Sequence, residues 1–289
     1  MPVQTLIAQA VVNGLVLGAL YFLMAVGFTM VFGIMRVVNF AHGEFYMFGG
    51  FVVLFLFGMH DVPFLVALVA AGIFVGCFGV LVEQAIFKPF RGDTLSSMIS
   101  ALGLSIVLQN GAALAFGTTP QSLPDFATGL SRWGAIVIPN SRLAAVAIGA
   151  IIMLVFWLFI RFSETGRAMR AVVQDPEVAM LQGMQPRKIY PIAFGIGVGL
   201  AALAGGIMGS IFTVDPFMGI TPLLKAFIVV ILGGLGSVMG AVVAGIMLGL
   251  FESFASNFLG ATAADLLQFI LVILVLLFRP EGLLGEREA

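Results

Sequence analysis

The chain opens with an uncharged apolar run at residues 4–35, Q-T-L-I-A-Q-A-V-V-N-G-L-V-L-G-A-L-Y-F-L-M-A-V-G-F-T-M-V-F-G-I-M, and this run decides the fold class. A helix needs about 20 apolar residues to cross a bilayer. The run therefore predicts one long tilted helix, or a helix broken near Gly27 or Gly33, with Arg36 closing it. No charged region precedes it, so we expect residues 3–35 to be mature structure and not a signal peptide.

The composition extends this interpretation to the whole chain of 289 residues. Hydrophobic residues make up 61% and charged residues 9%, whereas soluble domains carry about 25% charged residues. We predict an all-α, polytopic transmembrane helical bundle with about eight hydrophobic segments. One of them is discontinuous or re-entrant, because G-G-L-G-S interrupts it at 233–237. The segments after the first run are 45–58, which is short unless it borrows residues from 39–44, and then 64–87, 95–116, 141–160, 189–213, 223–252 and 263–278.

Several function classes find no support in the sequence. The net charge of −1, with no basic patch outside the membrane-flanking loops, gives no sign of a nucleic-acid partner. A lone Cys77 cannot build a disulfide or metal framework. No P-loop, no paired catalytic carboxylates and no His/Cys cluster occurs, so we predict no catalytic residue, no metal site and no cofactor in this chain.

Glycine pairs four residues apart recur in the apolar segments. Each pair places two glycines on one helix face, where two backbones can approach closely. A tightly packed bundle accounts for the pairs, although they could equally line a dimer interface. The pairs are Gly14 with Gly18, Gly72 with Gly76, Gly195 with Gly199, Gly205 with Gly209, and Gly245 with Gly249.

One long polar stretch, R-F-S-E-T-G-R-A-M-R-A-V-V-Q-D-P-E-V-A-M-L-Q-G-M-Q-P-R-K at 161–188, separates two apolar segments. Its middle predicts a short helix. Asp175 suits the N-cap and Pro176 the first helical position. Glu177 would face the positive end of the helix dipole, and Gly183 would end the helix. Such a capped helix is suited to contact a partner in water, although a solvated loop obeying the positive-inside rule is the alternative.

The distribution of Lys and Arg predicts the orientation. With 161–188 in the cytoplasm, ten of the thirteen basic residues fall inside if the interrupted segment 223–252 starts and ends on the outer side. The three outside are then Arg132, Arg142 and Lys225. A full crossing by 223–252 would give eight against five. We therefore expect the discontinuous arrangement, with the N-terminus outside and the C-terminus in the cytoplasm.

Two further motifs place polar groups or free backbone inside the apolar segments. N-F-A-H-G-E at 39–44 puts Asn39, His42 and Glu44 at a membrane boundary or within it. Ionisable groups at such depth are costly and often functional, so these three are candidates for a translocation pathway or gate; a polar turn is the alternative. The break at 233–237 frees backbone groups that must be buried or line a cavity. Gly233, Gly234 and Gly236 are therefore pathway candidates, or else form a packing corner.

Four separated motifs resemble one family. The run E-V-A-M-L-Q-G at 177–183 looks like the EAA loop of ABC-transporter permeases, with Val178 departing mildly from the usual Ala. The motifs that resemble the branched-chain amino acid (Liv-type) permeases are S-E-T-G-R-A-M-R-A-V-V-Q-D-P-E before it, N-F-A-H-G-E, K-A-F-I-V-V-I-L-G-G-L-G-S at 225–237 and F-R-P-E-G-L-L-G at 278–285. They occur in the same order and cover the chain nearly end to end.

The resemblance implies a single transmembrane permease domain, 1–289, with an ATPase-docking loop at 161–188. The ATPase-coupling residues that it suggests are Gly166, Arg167, Arg170, Asp175, Pro176, Glu177, Ala179 and Gly183. The implied partners are a second homologous permease in a heterodimer, two cytoplasmic ATPases that hold ATP and Mg²⁺, an extracytoplasmic substrate-binding protein and the lipid bilayer. The implied location is the bacterial inner membrane.

The resemblance further implies import of branched-chain amino acids by alternating access, with no catalysis in this chain. Urea, short amides and aromatic acids are alternatives within the same family. A proton-coupled secondary transporter, with His42 and Glu44 as relay, is an alternative from another class. Few carboxylates could join such a relay, since Glu83, Glu252 and Asp265 are expected near span ends. A non-transporting membrane scaffold would leave the capped loop helix unexplained.

Overall fold

The computed structural model describes residues 3–35, 38–134, 136–279 and 281–285, and these are largely helical. Arg36, predicted to close the first run, and Arg287, counted in the orientation, lie outside the described residues. The helices are α1 Val3–Met35, α2 His42–Val53, α3 Phe64–Val82, α4 Thr94–Phe116, α5 Asn140–Phe162, α6 Glu164–Gln174, α7 Pro176–Leu181, α8 Pro186–Ile211, α9 Ile220–Gly233, α10 Val238–Leu259 and α11 Ala261–Phe278. The strands are β1 Leu130–Trp133 and β2 Ile136–Pro139.

Seven helices within the described ranges are long and apolar enough to cross a membrane, namely α1, α3 with its extension to Phe90, α4, α5, α8, α10 and α11. Two apolar helices are shorter: His42–Gly58, which is α2 continued by a π-helical turn, and α9. The predicted all-α polytopic bundle is confirmed. The interrupted segment consists of the 14-residue α9 and a 22-residue α10, so only α10 is long enough to span. The first run forms one helix, continuous through Gly27 and Gly33.

Helices α1 and α8 occupy the centre of the bundle, and α5 and α11 lie at its edge. In their most apolar stretches, 78% of the residues of α1 and 83% of those of α8 are buried, against 17% in α5 and in α11. A helix that is apolar all round is expected either in a core or against lipid. The difference in buried fraction therefore places α1 and α8 in the core of the bundle and α5 and α11 at its lipid-facing edge.

Predicted glycine pairs join the central helices. A Cβ on Gly14 would lie 2.7 Å from the Cα of Leu250, and one on Gly249 would lie 2.2 Å from the backbone nitrogen of Gly18. The contacts pair low numbers of α1 with high numbers of α10, so these helices run antiparallel. The same close approach joins α3 to α8 through Gly72, Gly76, Gly195 and Gly199. These glycine faces therefore pack inside this chain.

The two ends of the bundle carry different structures. At one end, which we call the hairpin end, β1 pairs antiparallel with β2, and a bridge between Gln121 and Val214 joins the loop after α4 to the segment after α8. The terminal parts of α1 and α10 meet there, because Ser253 donates a hydrogen bond of 2.8 Å to the Ala10 carbonyl. The opposite end of α5 leads into α6 and α7, and we call it the loop end.

Candidate functional sites

Helix α6 is fastened to the end of α5 by a tight turn. The Ser163 hydroxyl accepts a hydrogen bond of 2.9 Å from the Gly166 backbone N–H, which caps α6. A Cβ on Gly166 would lie 2.5 Å from the Phe159 carbonyl oxygen and 2.6 Å from that of Ile160. Glycine is therefore needed here for the close approach of the two helices.

The predicted coupling residues Arg167 and Arg170 hold the same junction. Arg167 Nη1 donates a hydrogen bond of 3.0 Å to the Phe162 carbonyl, and Arg170 Nη1 donates to the Ile160 carbonyl. The last carbonyls of a helix have no partner within the helix and carry the negative end of its dipole, so cations bind well there. Both arginines thus link α6 to α5, a role that the sequence did not suggest.

The start of α7 agrees with the sequence prediction. The Asp175 carboxylate accepts hydrogen bonds from the backbone N–H groups of Glu177 at 2.8 Å and Val178 at 3.0 Å. Pro176 occupies the first helical position and Glu177 lies in the first turn. The local sequence therefore fixes where this helix begins.

The end of α7 is also as predicted. Gly183 has a φ of +83°, a left-handed conformation that costs most other residues about 1 kcal/mol or more. Its N–H donates to the Met180 carbonyl at 3.0 Å, and the Met184 N–H donates to the Ala179 carbonyl at 3.1 Å. This pair of bonds is the Schellman arrangement that terminates helices at glycine.

The two faces of α7 differ sharply in exposure. Ala179 is only 2% exposed and packs into this chain's own core. Val178, Met180 and Leu181 are 47%, 53% and 88% exposed. A short helix at the loop end thus presents apolar side chains outward. The resemblance named Ala179 as a coupling residue, but the side chains available to a partner are its three exposed neighbours.

The motif N-F-A-H-G-E begins α2 deep within the bundle. His42 is fully buried, 5.4 Å edge-on from the Phe28 ring between ring centres, and its Nε2 lies 3.4 Å from where a Cβ on Gly27 would stand. Gly27 in turn touches Gly197 of α8. The motif therefore lies among the central helices. The sequence allowed either a membrane boundary or the membrane interior, and the structure shows the interior.

Asn39, His42 and Glu44, which we call the entry-helix group, are buried with unused hydrogen-bonding atoms. Asn39 Oδ1 accepts from the Ala41 N–H at 3.1 Å, and Glu44 Oε1 accepts from Ser105 of α4 at 2.9 Å. Asn39 Nδ2 and Glu44 Oε2 have no hydrogen-bond partner within the described ranges. Neither ring nitrogen of His42 makes a well-formed hydrogen bond there, although the Met24 backbone of α1 lies within reach of the ring. Because His42 contacts α1 and Glu44 contacts α4, the two face different helices.

The break between α9 and α10 is filled by the C-terminal tail. The backbone N–H groups of Leu283 and Leu284 donate to the carbonyls of Leu232 at 2.7 Å and Gly233 at 3.1 Å. Gly234, at a φ of +102°, has the Gly285 nitrogen 2.5 Å from the position of a Cβ. The tail thus satisfies carbonyls that the end of α9 leaves open. Two motifs far apart in sequence, G-G-L-G-S and F-R-P-E-G-L-L-G, form one structure.

Gly233 and Gly236 complete this turn. A Cβ on Gly233 would lie 2.4 Å from the backbone carbon of Gly240, so α9 and α10 cross closely there. Gly236 has a φ of +85° and lies beside Gly33 of α1. Of the three predicted pathway glycines, Gly233 and Gly234 are therefore packed against backbone, whereas a Cβ on Gly236 would meet open space.

A buried network around Lys225, which we call the lysine centre, was not predicted. Lys225 Nζ donates to Glu252 Oε2 at 3.0 Å, to Asp265 Oδ1 at 2.7 Å and to Gln268 Oε1. Tyr21 Oη and Gln268 Nε2 also donate to Glu252 Oε2, at 3.0 and 2.8 Å. The network joins α1, α9, α10 and α11. Glu252 lies about two turns before the end of α10, near a span end as expected, but its side chain is only 19% exposed and takes part in this network.

The sequence did contain a signal for this network. Between residues 220 and 278 the charged residues are Lys225, Glu252 and Asp265. A lysine within an apolar helix needs partners, and these two carboxylates are the candidates on the helices that follow. Glu83, by contrast, lies near the end of α3 as expected and accepts from Arg91 Nε at 2.9 Å. Within the described residues, no group of three His, Cys, Asp or Glu side chains could hold a metal ion.

Comparison with known proteins gives one consistent result. Residues 10–276 match the family model described as branched-chain amino acid transport system / permease component. The chain is 37% identical to the high-affinity branched-chain amino acid transport system permease protein BraD of Pseudomonas aeruginosa, over 97% of this chain and 96% of the relative. It is 36% identical to the corresponding protein LivH of Escherichia coli over the same shares. Its identity to the permease protein LivM of Escherichia coli is 24%, over 96% of this chain and 71% of the relative.

Proposed function

Because the chain belongs to the family of branched-chain amino acid transport system permease components, we propose that it imports branched-chain amino acids as one permease subunit of an ABC transporter. The observation that carries the coupling part of this proposal is α7. It is a capped helix outside the spanning segments that presents three apolar side chains outward. An exposed apolar surface on such a helix is suited to docking a partner protein.

The partners follow from the same assignment. A second permease of the LivM kind would complete the pathway, since the chain resembles both the LivH and the LivM permeases of one organism. Two ATPases would bind ATP and Mg²⁺ and dock on α7, and a binding protein would deliver the amino acid. This chain would itself perform no catalysis.

The orientation that we propose places the loop end in the cytoplasm and the hairpin end outside, in a bacterial inner membrane. Lys225 lies inside the bundle, so it no longer counts as a loop charge. Only Arg132 and Arg142 then fall outside, against ten basic residues of the sequence inside. The positive-inside rule supports this orientation, with the C-terminus in the cytoplasm.

The mechanism that we propose is alternating access driven by movement of α7. The chain leads from α7 through Gly183 into α8, whose most apolar stretch is more buried than that of any other of the seven spanning helices in the described ranges. Helix α6 is fixed to α5 through Gly166, Arg167 and Arg170. A displacement of α7 by the ATPase would therefore reach both an edge helix and a central helix. The entry-helix group lies beside α8 and contains most of the buried polar atoms that have no hydrogen-bond partner among the described residues, the others being on Thr29 and Glu83. This supports its predicted place at a pathway or gate.

A proton-driven transporter is the alternative that an experiment separates most clearly. It would need a relay through His42 and Glu44, which contact different helices. We expect proteoliposomes holding the full complex to accumulate leucine only with internal ATP and external binding protein, and to be insensitive to a protonophore. Accumulation by this chain alone, driven by a pH gradient, would overturn the proposal.

A further inference from the structure

A cavity of about 250 Å³ opens at the hairpin end between α1, α5, α8 and α10. Arg142 and Glu252 bring opposite charges to it, and they form no ion pair with each other within the described residues. Glu252 is already paired with Lys225 through Oε2, so what it offers the cavity is its second carboxylate oxygen. A guanidinium with free donors and a carboxylate with a free oxygen on one cavity suit a ligand that carries both signs. The apolar part of the wall includes Val16, Leu17, Leu20 and Phe212.

The Glu252 carboxylate is held with one oxygen committed and one free. Oε2 accepts from Tyr21, Lys225 and Gln268. Oε1 makes no hydrogen bond with any described residue, and the side chain is 19% exposed while lining the cavity. The lysine centre thus fixes the carboxylate and leaves an acceptor for a cationic group.

Arg142 is placed in the first turn of α5 with donors to spare. Its Nη1 donates to Asn13 Oδ1 at 3.2 Å, and its other guanidinium nitrogens bond no described residue. The fork of a guanidinium matches a carboxylate with two parallel hydrogen bonds. Arg142 and Ile211 also line a second cavity of about 430 Å³ beneath the hairpin. The two cavities therefore meet at the arginine.

We propose that this cavity binds the zwitterionic α-amino acid, with its carboxylate on Arg142, its ammonium on Glu252 Oε1 and its side chain against the apolar wall. The proposal rests on the proposed function. In it, the cavity is the site on the outer side where the permease receives the amino acid from the binding protein. A cavity of about 150 Å³ can hold benzene, so one of 250 Å³ has room for leucine. Urea and short amides carry no charge, so they would leave the Arg142 guanidinium without a carboxylate and Glu252 Oε1 without an ammonium, and they are disfavoured.

The first test uses ligands that each lack one charge. Calorimetry on the purified complex in nanodiscs, without the binding protein, would titrate leucine, isovalerate, which lacks the ammonium, and isoamylamine, which lacks the carboxylate. We expect saturable leucine binding and at least about tenfold weaker binding of either analogue, because each loses a charged hydrogen-bonding pair. Absence of saturable leucine binding, or equal binding of all three ligands, would overturn the site.

The second test assigns each charge to its residue. Arg142→Gln should weaken leucine binding about tenfold and remove the preference for leucine over isoamylamine, and Glu252→Gln should remove the preference over isovalerate. Arg132→Gln, on the exposed hairpin, should change nothing. A loss of affinity that leaves the order of the ligands unchanged would indicate a purely structural effect and contradict the proposal.

A third variant guards against misfolding by Glu252→Gln. Leu17→Phe, at a partly buried position of the same wall, narrows the cavity without touching either charge, so it should weaken leucine binding and spare glycine. Equal loss for both amino acids would contradict the placement of the side chain. The proposed function is tested separately: if ATP-driven uptake persists with a normal leucine dependence in Arg142→Gln, the site falls and the transporter assignment stands.

Discussion

The interior of the bundle contains two polar groups that differ in how well their hydrogen bonds are satisfied. In the lysine centre, Lys225 finds three acceptors and Gln268 donates to Glu252. In the entry-helix group, neither ring nitrogen of His42 makes a well-formed hydrogen bond with a described residue, its nearest candidate being the Met24 backbone, and Glu44 leaves one oxygen unused. A satisfied buried network holds helices in a fixed arrangement, whereas unused polar atoms are available to substrate, water or a second arrangement of the helices. We therefore assign a structural role to the hydrogen bonds of the lysine centre, which leave only Glu252 Oε1 open toward the outer cavity, and a role in the transport movement to the entry-helix group.

Removal of the lysine should have the largest effect on stability. Lys225→Met leaves the largely buried Glu252 carboxylate without its cation, and loss of one partner of a buried pair costs up to about 3–5 kcal/mol. The Asp265 side chain is 60% exposed, so its pair with the lysine adds little. We expect a marked drop in the thermal midpoint of the detergent-purified permease. The triple variant with Glu252→Gln and Asp265→Asn should recover much of it, since no unpaired charge is left. A thermal midpoint equal to that of the wild type in Lys225→Met would contradict the structural role assigned to the lysine centre.

The turn at 233–237 is held by backbone contacts, whereas the lysine centre is held by side chains, and a glycine substitution tests how much those backbone contacts contribute. Gly234→Leu combines a left-handed φ with a clash against Gly285, so the tail should leave its site. Strain at such a φ costs about 1–2 kcal/mol before the clash is counted. We expect a lower thermal midpoint and rapid cleavage by a glutamate-specific protease after Glu281. Gly111→Leu on α4, where nothing lies within 4 Å, is the matched control and should behave as wild type. Equal cleavage in both variants would mean that the tail is not held by this turn.

The parts that the sequence predicted are those decided by neighbouring residues. Asp175 and Gly183 fix the ends of α7 through bonds within a few residues, and both were predicted. The glycines of α1 were recognised as a packing face, but their partner on α10 depends on how the helices are arranged. The lysine centre and the docking of the tail join segments far apart in sequence, where helical periodicity carries no information. Composition would have paired Lys225 with its two carboxylates, but it would not have placed the Tyr21 hydroxyl on Glu252.

The smallest effect on stability is expected in the entry-helix group. Replacement of an unpartnered buried polar side chain by an apolar one is nearly neutral for folding or stabilises it. His42→Leu should therefore shift the free energy of unfolding by no more than about 1 kcal/mol, while ATP-driven uptake falls at least severalfold. Uptake per folded complex and thermal midpoint are measured on the same preparation. A strongly lowered midpoint, or normal uptake, would remove the distinction between the two polar groups.

The central claim is that α7 couples this permease to an ATPase, and Leu181 tests it most directly. The side chain is 88% exposed, so Leu181→Arg removes little packing within this chain. Ala179→Arg would be a poorer test, because Ala179 is buried here and the change would damage the permease itself. Gln174→Arg on α6 adds the same charge at an exposed site without removing apolar surface and serves as the control.

The measurement is ATP-driven leucine uptake and ATPase co-purification for Leu181→Arg and Gln174→Arg in the complete complex. We expect Leu181→Arg to insert with a wild-type thermal midpoint yet lose both uptake and bound ATPase, while Gln174→Arg keeps both. Wild-type uptake together with full ATPase recovery in Leu181→Arg would contradict the coupling role of α7.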